Sequence, residues 1–157
     1  MPVLESKLDI RSEVFKTNKS DMLETLAQLQ ELYDEAAEGG GEEAVARIRK
    51  RGKMPIRERI SHVLDQDSPF LEISPLAAWR SSYDIGSGFV VGIGVIEGVE
   101  CVILGHDPSV RAGAFNPFNS KKLMRGLEIA RENRMPYVQF VESAGADLRG
   151  ASGDGKG

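Results

Sequence analysis

At 157 residues and 41% hydrophobic content the chain is long enough to close one ordinary core, and its net charge of -4, with acids and bases interspersed, leaves no basic face for nucleic acid. A single cysteine, Cys101, excludes an intrachain disulfide and a cysteine-rich zinc site. The N-terminus alternates charged and apolar residues where a signal peptide would be continuously apolar, and no later stretch is long enough to span a bilayer, so a cytoplasmic protein without membrane contact is expected.

From Ser20 onward Met22, Leu23, Leu26, Leu29 and Leu32 recur at helical spacing, with Asn18 or Ser20 as N-cap and Gly39 to Gly41 as the stop. A second helix over Glu42 to Lys50 carries a narrow apolar stripe of Ala44, Val45 and Ile48 among charges, which suits a surface position. Gly52 breaks it, and Pro55 at a first helical position opens a third helix with Ile56, Ile60, Val63 and Leu64 on one face, ending near Asp65. Pro69 and Pro75 then bracket a short extended piece, and Ser81 to Gly88 form a connector rich in turn formers.

Phe89 to Ile96 and Val99 to Leu104 are β-branched apolar runs around Glu97-Gly98, the pattern of a tight antiparallel hairpin with both strands well buried. Asn119 or Ser120 serves as cap for a helix from Lys121 to Asn133, and Pro136 follows it to start a strand from Tyr137 to Val141. A helical N-terminal lobe over residues 1–67 is thus expected ahead of a β-rich segment over 68–149. The tail at 150–157 is rich in Gly, Ser, Asp and Lys, which bury too little apolar surface to become ordered.

Three constellations carry chemistry. Glu142-Ser143-Ala144-Gly145-Ala146 directly follows an apolar strand, and small residues there let a carbonyl group approach backbone N–H donors that need no reorganisation as negative charge develops. On spacing alone, the same run is an ordinary turn. In the loop Asp107 to Asn119, Gly113 between Ala112 and Ala114 presents amides, Arg111 brings a planar donor fork, and Lys121 and Lys122 stand in the first helical turn, where a bound phosphate would relieve their conflict with the helix dipole. Solvated lysines on a surface helix are the plainer alternative. Arg49, Lys50, Arg51, Lys53, Arg57 and Arg59 form a basic cluster that suits nucleotide phosphates, or a charged helical face with Glu58 as internal counter-ion.

His106 titrates near neutrality but has no dyad partner in view, so a hydrogen-bonding role at the strand end is expected, with His62 on the surface. Ser143 lacks the setting of a nucleophile elbow, and Cys101 in its apolar strand reads as inert core. Trp79 and Tyr83 read as aromatic anchors over the sheet.

Several of these runs, in the same order, resemble the N-terminal portion of biotin-dependent acyl-CoA carboxylase carboxyltransferase (beta) subunits of the propionyl-CoA and methylcrotonyl-CoA type. They are Arg51-Gly52-Lys53, Arg57-Glu58-Arg59-Ile60, Ser74-Pro75-Leu76-Ala77-Ala78-Trp79, Gly92-Ile93-Gly94, Gly98-Val99-Glu100-Cys101, Glu132-Asn133-Arg134-Met135-Pro136 and Glu142 to Ala146. The resemblance covers roughly Leu4 to Leu148 and implies an α/β, crotonase-like (ClpP/crotonase) ββα domain, truncated, behind the helical lobe.

It further implies transfer of a carboxyl group from carboxybiotin to the α-carbon of an acyl-CoA, with biotin carried on a partner and no metal. The implied partners are a biotin carboxylase and biotin carrier subunit, and further copies of the chain or full-length beta subunits. By the resemblance Ala144 and Gly145 would be backbone oxyanion donors, and Arg111, Ala112, Gly113, Ala114, Lys121, Lys122, Arg51 and Lys53 would shape the acyl-CoA site. The family usually has Gly-Gly where Ala144-Gly145 stands, and Lys-Gly-Gly-Thr where Arg111 to Ala114 stand. The expectation is a chain inactive alone. The rivals are a non-catalytic module docking on full-length subunits, and an enoyl-CoA hydratase or isomerase using Glu142 or Asp147.

Overall fold

The computed structural model describes residues 6 and 8–147; the expected tail at 150–157 lies outside them. Three helices come first: α1 (Glu13–Glu38), α2 (Glu42–Lys50) and α3 (Ile56–Val63). A four-stranded sheet follows, with β1 (Leu71–Glu72), β2 (Phe89–Ile96), β3 (Val99–His106) and β4 (Tyr137–Phe140), and α4 (Pro117–Asn133) crosses from β3 to β4. The strand order is β1-β2-β3-β4, antiparallel except for the parallel β3–β4 pair. This is the expected ββα unit followed by a parallel strand.

The hairpin pairs Phe89 with His106 and Ile96 with Val99, leaving Glu97 (φ 50°) and Gly98 (φ 75°) as a two-residue turn. Both positions have positive φ, which matches the right-handed twist of the strands and favours glycine at the second. The Asp65 carboxylate accepts both turn N–H groups at 2.7 Å, locking the hairpin to the end of α3.

Alternation along β2 and β3 divides the core between two faces. Val90, Cys101 and Ile103 pack with Ile56 and Ile60 of α3, and Phe89, Val91, Val102 and Leu104 pack with Ala130 of α4. The α3 helix therefore shares one core with the hairpin. Cys101 is buried in that core, as expected of an inert thiol.

Two helix starts depart from the sequence expectation. Helix α1 begins at Glu13, because Ser12, not Asn18 or Ser20, caps it by accepting the Phe15 N–H. Helix α4 begins at Pro117 rather than Lys121, because Asn116 caps it and Asn119 completes a capping box from inside the first turn. Lys121 and Lys122 thus lie a full turn further in than expected, where the dipole of the N-terminus has faded. Helix α2 occupies its expected range and keeps Ala44 and Ile48 buried under its charged outer face. Among the described residues no helix is long and apolar enough to cross a membrane.

Candidate functional site

Because β3 and β4 run parallel and β2 runs against them, three segments meet at one end of the strands: the segment before β2, the loop after β3 and the loop after β4. Both runs singled out in the sequence sit here, side by side. The Ala144 N–H donates to Ala112 O at 3.1 Å, Phe115 N–H to Gly145 O at 2.8 Å and Asp147 N–H to Phe115 O at 2.8 Å, a parallel bridge that pairs Phe115 with Ala146.

The loop after β3 contains Arg111, Ala112 and Gly113 at φ 47°, 53° and 68°, three consecutive left-handed residues. A non-glycine residue in that region costs about 1–2 kcal/mol, so the surrounding contacts must hold it. Gly113 is obligatory here, since a Cβ would lie 2.1 Å from Glu142 O. The Arg111 guanidinium supplies much of the grip: Nε donates to Asp84 at 2.9 Å, Nη1 to Asp147 at 3.0 Å and Nη2 to Ser82 O at 3.2 Å, over the Tyr83 ring at 4.8 Å. These acids raise its pKa, Asp84 most. Arg111 ties the three loops together, so its fork is committed within the protein and does not face a phosphate.

Glu142 stands between β4 and the small-residue turn. Its two carboxylate oxygens accept from Lys53 Nζ at 2.6 Å and Arg59 Nη2 at 2.7 Å, and the Lys53 hydrogen bond is the leading cause that holds its pKa below the ordinary carboxylate range, with Arg59 adding to it and burial opposing. Of the other four residues of the basic cluster, two are paired. Arg57 grips Glu72 at 2.6 and 3.1 Å, and Arg49 meets Glu58, the counter-ion proposed from sequence, while Lys50 and Arg51 face solvent.

The expected pair of oxyanion donors does not converge. The Ala144 N–H is spent on Ala112 O, because the left-handed turn swings that carbonyl toward the loop after β4. Ala144 does not have positive φ, so the position accepts alanine in place of glycine. The Gly145 N–H, at φ 101°, donates only to its own loop's Ser143 Oγ, at 3.1 Å on the exposed side. Rotation of the Ser143 side chain would release it. One available donor stands where two were expected.

Lys122 departs further from its expected role. It is 3% exposed, its ammonium group donates to Phe89 O at 2.7 Å and lies 3.9 Å from Glu72, and burial pushes its pKa down to about 8. It props the start of β2 and is turned away from any ligand phosphate. Lys121 is exposed beside Met124 and Arg125, in a groove of about 530 Å³ lined only by α4 side chains, so it does not join the loop cluster.

His106, fully buried at the end of β3, stacks on Phe89 at 4.2 Å, meets Phe115 edge-on at 5.3 Å, and its Nε2 lies 3.1 Å from Gln139 Nε2. With the Gln139 Nε2 group donating, the His106 Nε2 accepts and the neutral ring has its proton on Nδ1. Burial lowers its pKa, which fits a strut beneath the loops and not a base.

Sequence reasoning named Arg59 within the basic cluster without its partner Glu142, and missed Asp84 and Gln139, whose partners likewise lie far away in the chain. A visible signal existed only for Asn116-Pro117-Phe118-Asn119, which spells a capping box.

The carboxyl transferase domain family matches residues 47–154. The chain is 43% identical over 146 residues to a probable biotin-dependent acyl-coenzyme A carboxylase beta2 subunit of Mycobacterium tuberculosis, covering 93% of the chain and 28% of that protein. It is 41% identical over 149 residues to the mitochondrial methylcrotonoyl-CoA carboxylase beta chain of Dictyostelium discoideum, covering 93% and 25%. The crystal structure of the geranyl-CoA carboxylase beta subunit of P. aeruginosa superposes with a TM-score of 0.84 at 37% identity, over 96% of this chain and 29% of that one. The chain thus spans about a quarter of the length of these relatives. With the α/β sheet, its ββα order and this match in hand, the chain belongs to the carboxyl transferase domain family of biotin-dependent acyl-CoA carboxylases and has the crotonase-like fold.

Proposed function

We propose that this chain forms one wall of the acyl-CoA site in a carboxyltransferase that moves a carboxyl group from carboxybiotin to the α-carbon of an acyl-CoA. Because the match covers about a quarter of each relative, the complete reaction is assigned to the assembled enzyme, with the loops at the β3 and β4 ends as this chain's share. Loss of the α-proton from a thioester places negative charge on its carbonyl oxygen, and a fixed N–H donor lowers the cost of that charge. Gly145 N–H is the donor in this reading, with the Ser143 hydroxyl holding its place until a ligand arrives. Biotin, borne on a carrier partner, supplies the carboxyl group. The protein's own residues orient the thioester, and Gly145 keeps a side chain out of its path.

The observation that carries the reading is the exposed Gly145 N–H beside Ala146, in a chain whose sequence matches the family from residue 47 to 154. Titration of the 15N-labelled chain with acetyl-coenzyme A tests it. The expected result is a saturable shift of the Gly145 and Ser143 amide signals that coenzyme A without the acyl group does not reproduce. Unmoved signals at millimolar thioester would overturn it.

The partner assignment belongs to the same proposal: a biotin carboxylase and carrier subunit, with further beta-type subunits on α1, whose Met22, Leu23 and Leu26 are each at least half exposed. Size-exclusion chromatography with a full-length beta subunit checks it, co-elution being the expected result. A cytoplasmic setting completes the proposal.

A further inference from the structure

The turn at Ser143 to Gly145 has little support of its own. Its side chains are a hydroxyl, a methyl and a hydrogen, all exposed, and only the Ser143 hydroxyl shapes its tip, accepting from Gly145 N–H at 3.1 Å and donating to Gly145 O at 3.3 Å. Glu142, one residue upstream, is by contrast held from both sides. Its carbonyl lies against Gly113 so closely that no Cβ fits between them. Its carboxylate is divided between two cations of the helical segment, Oε1 to Lys53 and Oε2 to Arg59.

Arg59 is itself braced, Nε donating to Met54 O at 2.8 Å, and it projects from α3, whose Ile56 and Ile60 are 1% and 2% exposed in the core shared with Val90, Cys101 and Ile103. A continuous path therefore runs from the packed sheet through α3 and Arg59 to Glu142 and the turn. Lys53, from the connection between α2 and α3, closes the grip on the solvent side. These bonds join positions 83 and 89 residues apart, so they fix the direction of the turn relative to the core and not merely its local shape.

We propose that Lys53 and Arg59 are positioning residues, which grip Glu142 and thereby aim the 143–145 turn, so that these two cations of the basic cluster act on the turn and do not bind ligand phosphates. The proposal rests on the reading of that turn as the thioester contact only for its consequence in function; the grip itself is measurable without any ligand.

The full 157-residue chain, 15N-labelled, is compared as the parent and as Glu142→Gln, Lys53→Met and Lys53→Arg. Amide exchange is followed at Ala144 and Asp147, whose N–H groups cross to Ala112 O and Phe115 O, with β2 and β3 amides as the control for an intact sheet. Exchange at the two loop positions should quicken about tenfold in Glu142→Gln and about threefold in Lys53→Met, and return to the parent rate in Lys53→Arg, as expected when a local opening becomes easier without global unfolding. Unchanged loop exchange in Glu142→Gln and Lys53→Met would overturn the proposal, and if Glu142→Gln does not fold, the Lys53 pair decides it.

Calorimetric titration with coenzyme A gives an independent test by sign. A grip predicts that Glu142→Gln and Lys53→Met leave coenzyme A affinity within about twofold of the parent and weaken acetyl-coenzyme A in the same direction. If Lys53 serves phosphates instead, removing Glu142 frees cations and tightens coenzyme A, whereas removing Lys53 weakens it; opposite signs overturn the proposal. A parent chain that binds neither probe counts against the acyl-CoA reading, and the exchange rates then decide the grip alone.

Discussion

Helices α1 and α4 invert the usual link between apolar content and burial. The 26-residue α1 spans about 39 Å and carries Met22, Leu23, Leu26, Leu29 and Leu32, yet Ala36 is its one buried residue. The 17-residue α4 leaves Met124 62% exposed and buries Asn119, Lys122, Gly126 and Ala130. The difference lies in what each helix is fastened to. Asn119 Nδ2 donates to Ser87 O and Ala114 O while its Oδ1 accepts from Asn116 N–H, and Lys122 reaches Phe89 O, so the first two turns of α4 tie together the entry to β2 and the loop after β3. Helix α1 has side chains in search of a surface, while α4 has polar groups that specify one.

If that contrast is right, the largest losses of stability come from changes near the polar anchors of α4 and the loop they hold. Gly113→Ala places a methyl group 2.1 Å from Glu142 O in a residue at φ 68°, and should cost about 4 kcal/mol or force the two loops apart. Urea unfolding measures the loss, and quicker amide exchange at Ala144 would show the separation. Asn119→Ala removes three hydrogen bonds, two of them buried, and strands the Ala114 carbonyl and Asn116 N–H, for an expected loss of about 3 kcal/mol. A loss below about 1 kcal/mol would mean that water replaces the network and that the contrast between the helices is weaker than drawn.

Lys122 gives a smaller effect with a distinctive pH signature. Its pKa is lowered from 10.5 to about 8 by burial, so between those values the unfolded chain binds a proton that the folded chain does not, and stability rises with pH across that window. Burial raises Tyr137 from 10.0 to about 12, which acts oppositely: above pH 10 the unfolded phenol ionises first and stability falls. The expected curve climbs by about 2 kcal/mol from pH 8 to 10, levels just above pH 10 where the two effects cancel, and then falls toward pH 12. Lys122→Met should abolish the climb in urea titrations taken at each pH; a climb that survives would assign it to another group.

What was legible in the sequence follows the range of the interactions involved. The hairpin was readable because its β-branched runs and the Glu97-Gly98 turn are neighbours, and both loops of the site were recognised from their small residues. The helix starts were misplaced because several capping residues compete locally: Ser12 over Asn18 or Ser20, and Asn116 over Asn119 or Ser120. Distant contacts help settle the second case, since Asn116 Nδ2 and Asn119 Nδ2 both reach Ser87 O. The partners of the cations were not legible for the same reason. Arg111 finds Asp84 across 27 residues, Lys122 finds Phe89 O across 33 and Lys53 finds Glu142 across 89, and no local pattern announces such partners.

The smallest expected effect tests the other half of the contrast. Leu23 and Leu26 are 54% and 50% exposed, so truncating both to alanine removes little buried surface and gains slightly in helix propensity. The double variant should unfold within about 0.5 kcal/mol of the parent when the chain is alone. In a mixture with a full-length beta subunit the same variant should bind more weakly, because the apolar area that α1 leaves open is then the area being covered. A loss of 2 kcal/mol or more in the isolated chain at low concentration, where self-association is absent, would mean that α1 lies against its own sheet in solution, and the division between an arm and an anchored helix would fall.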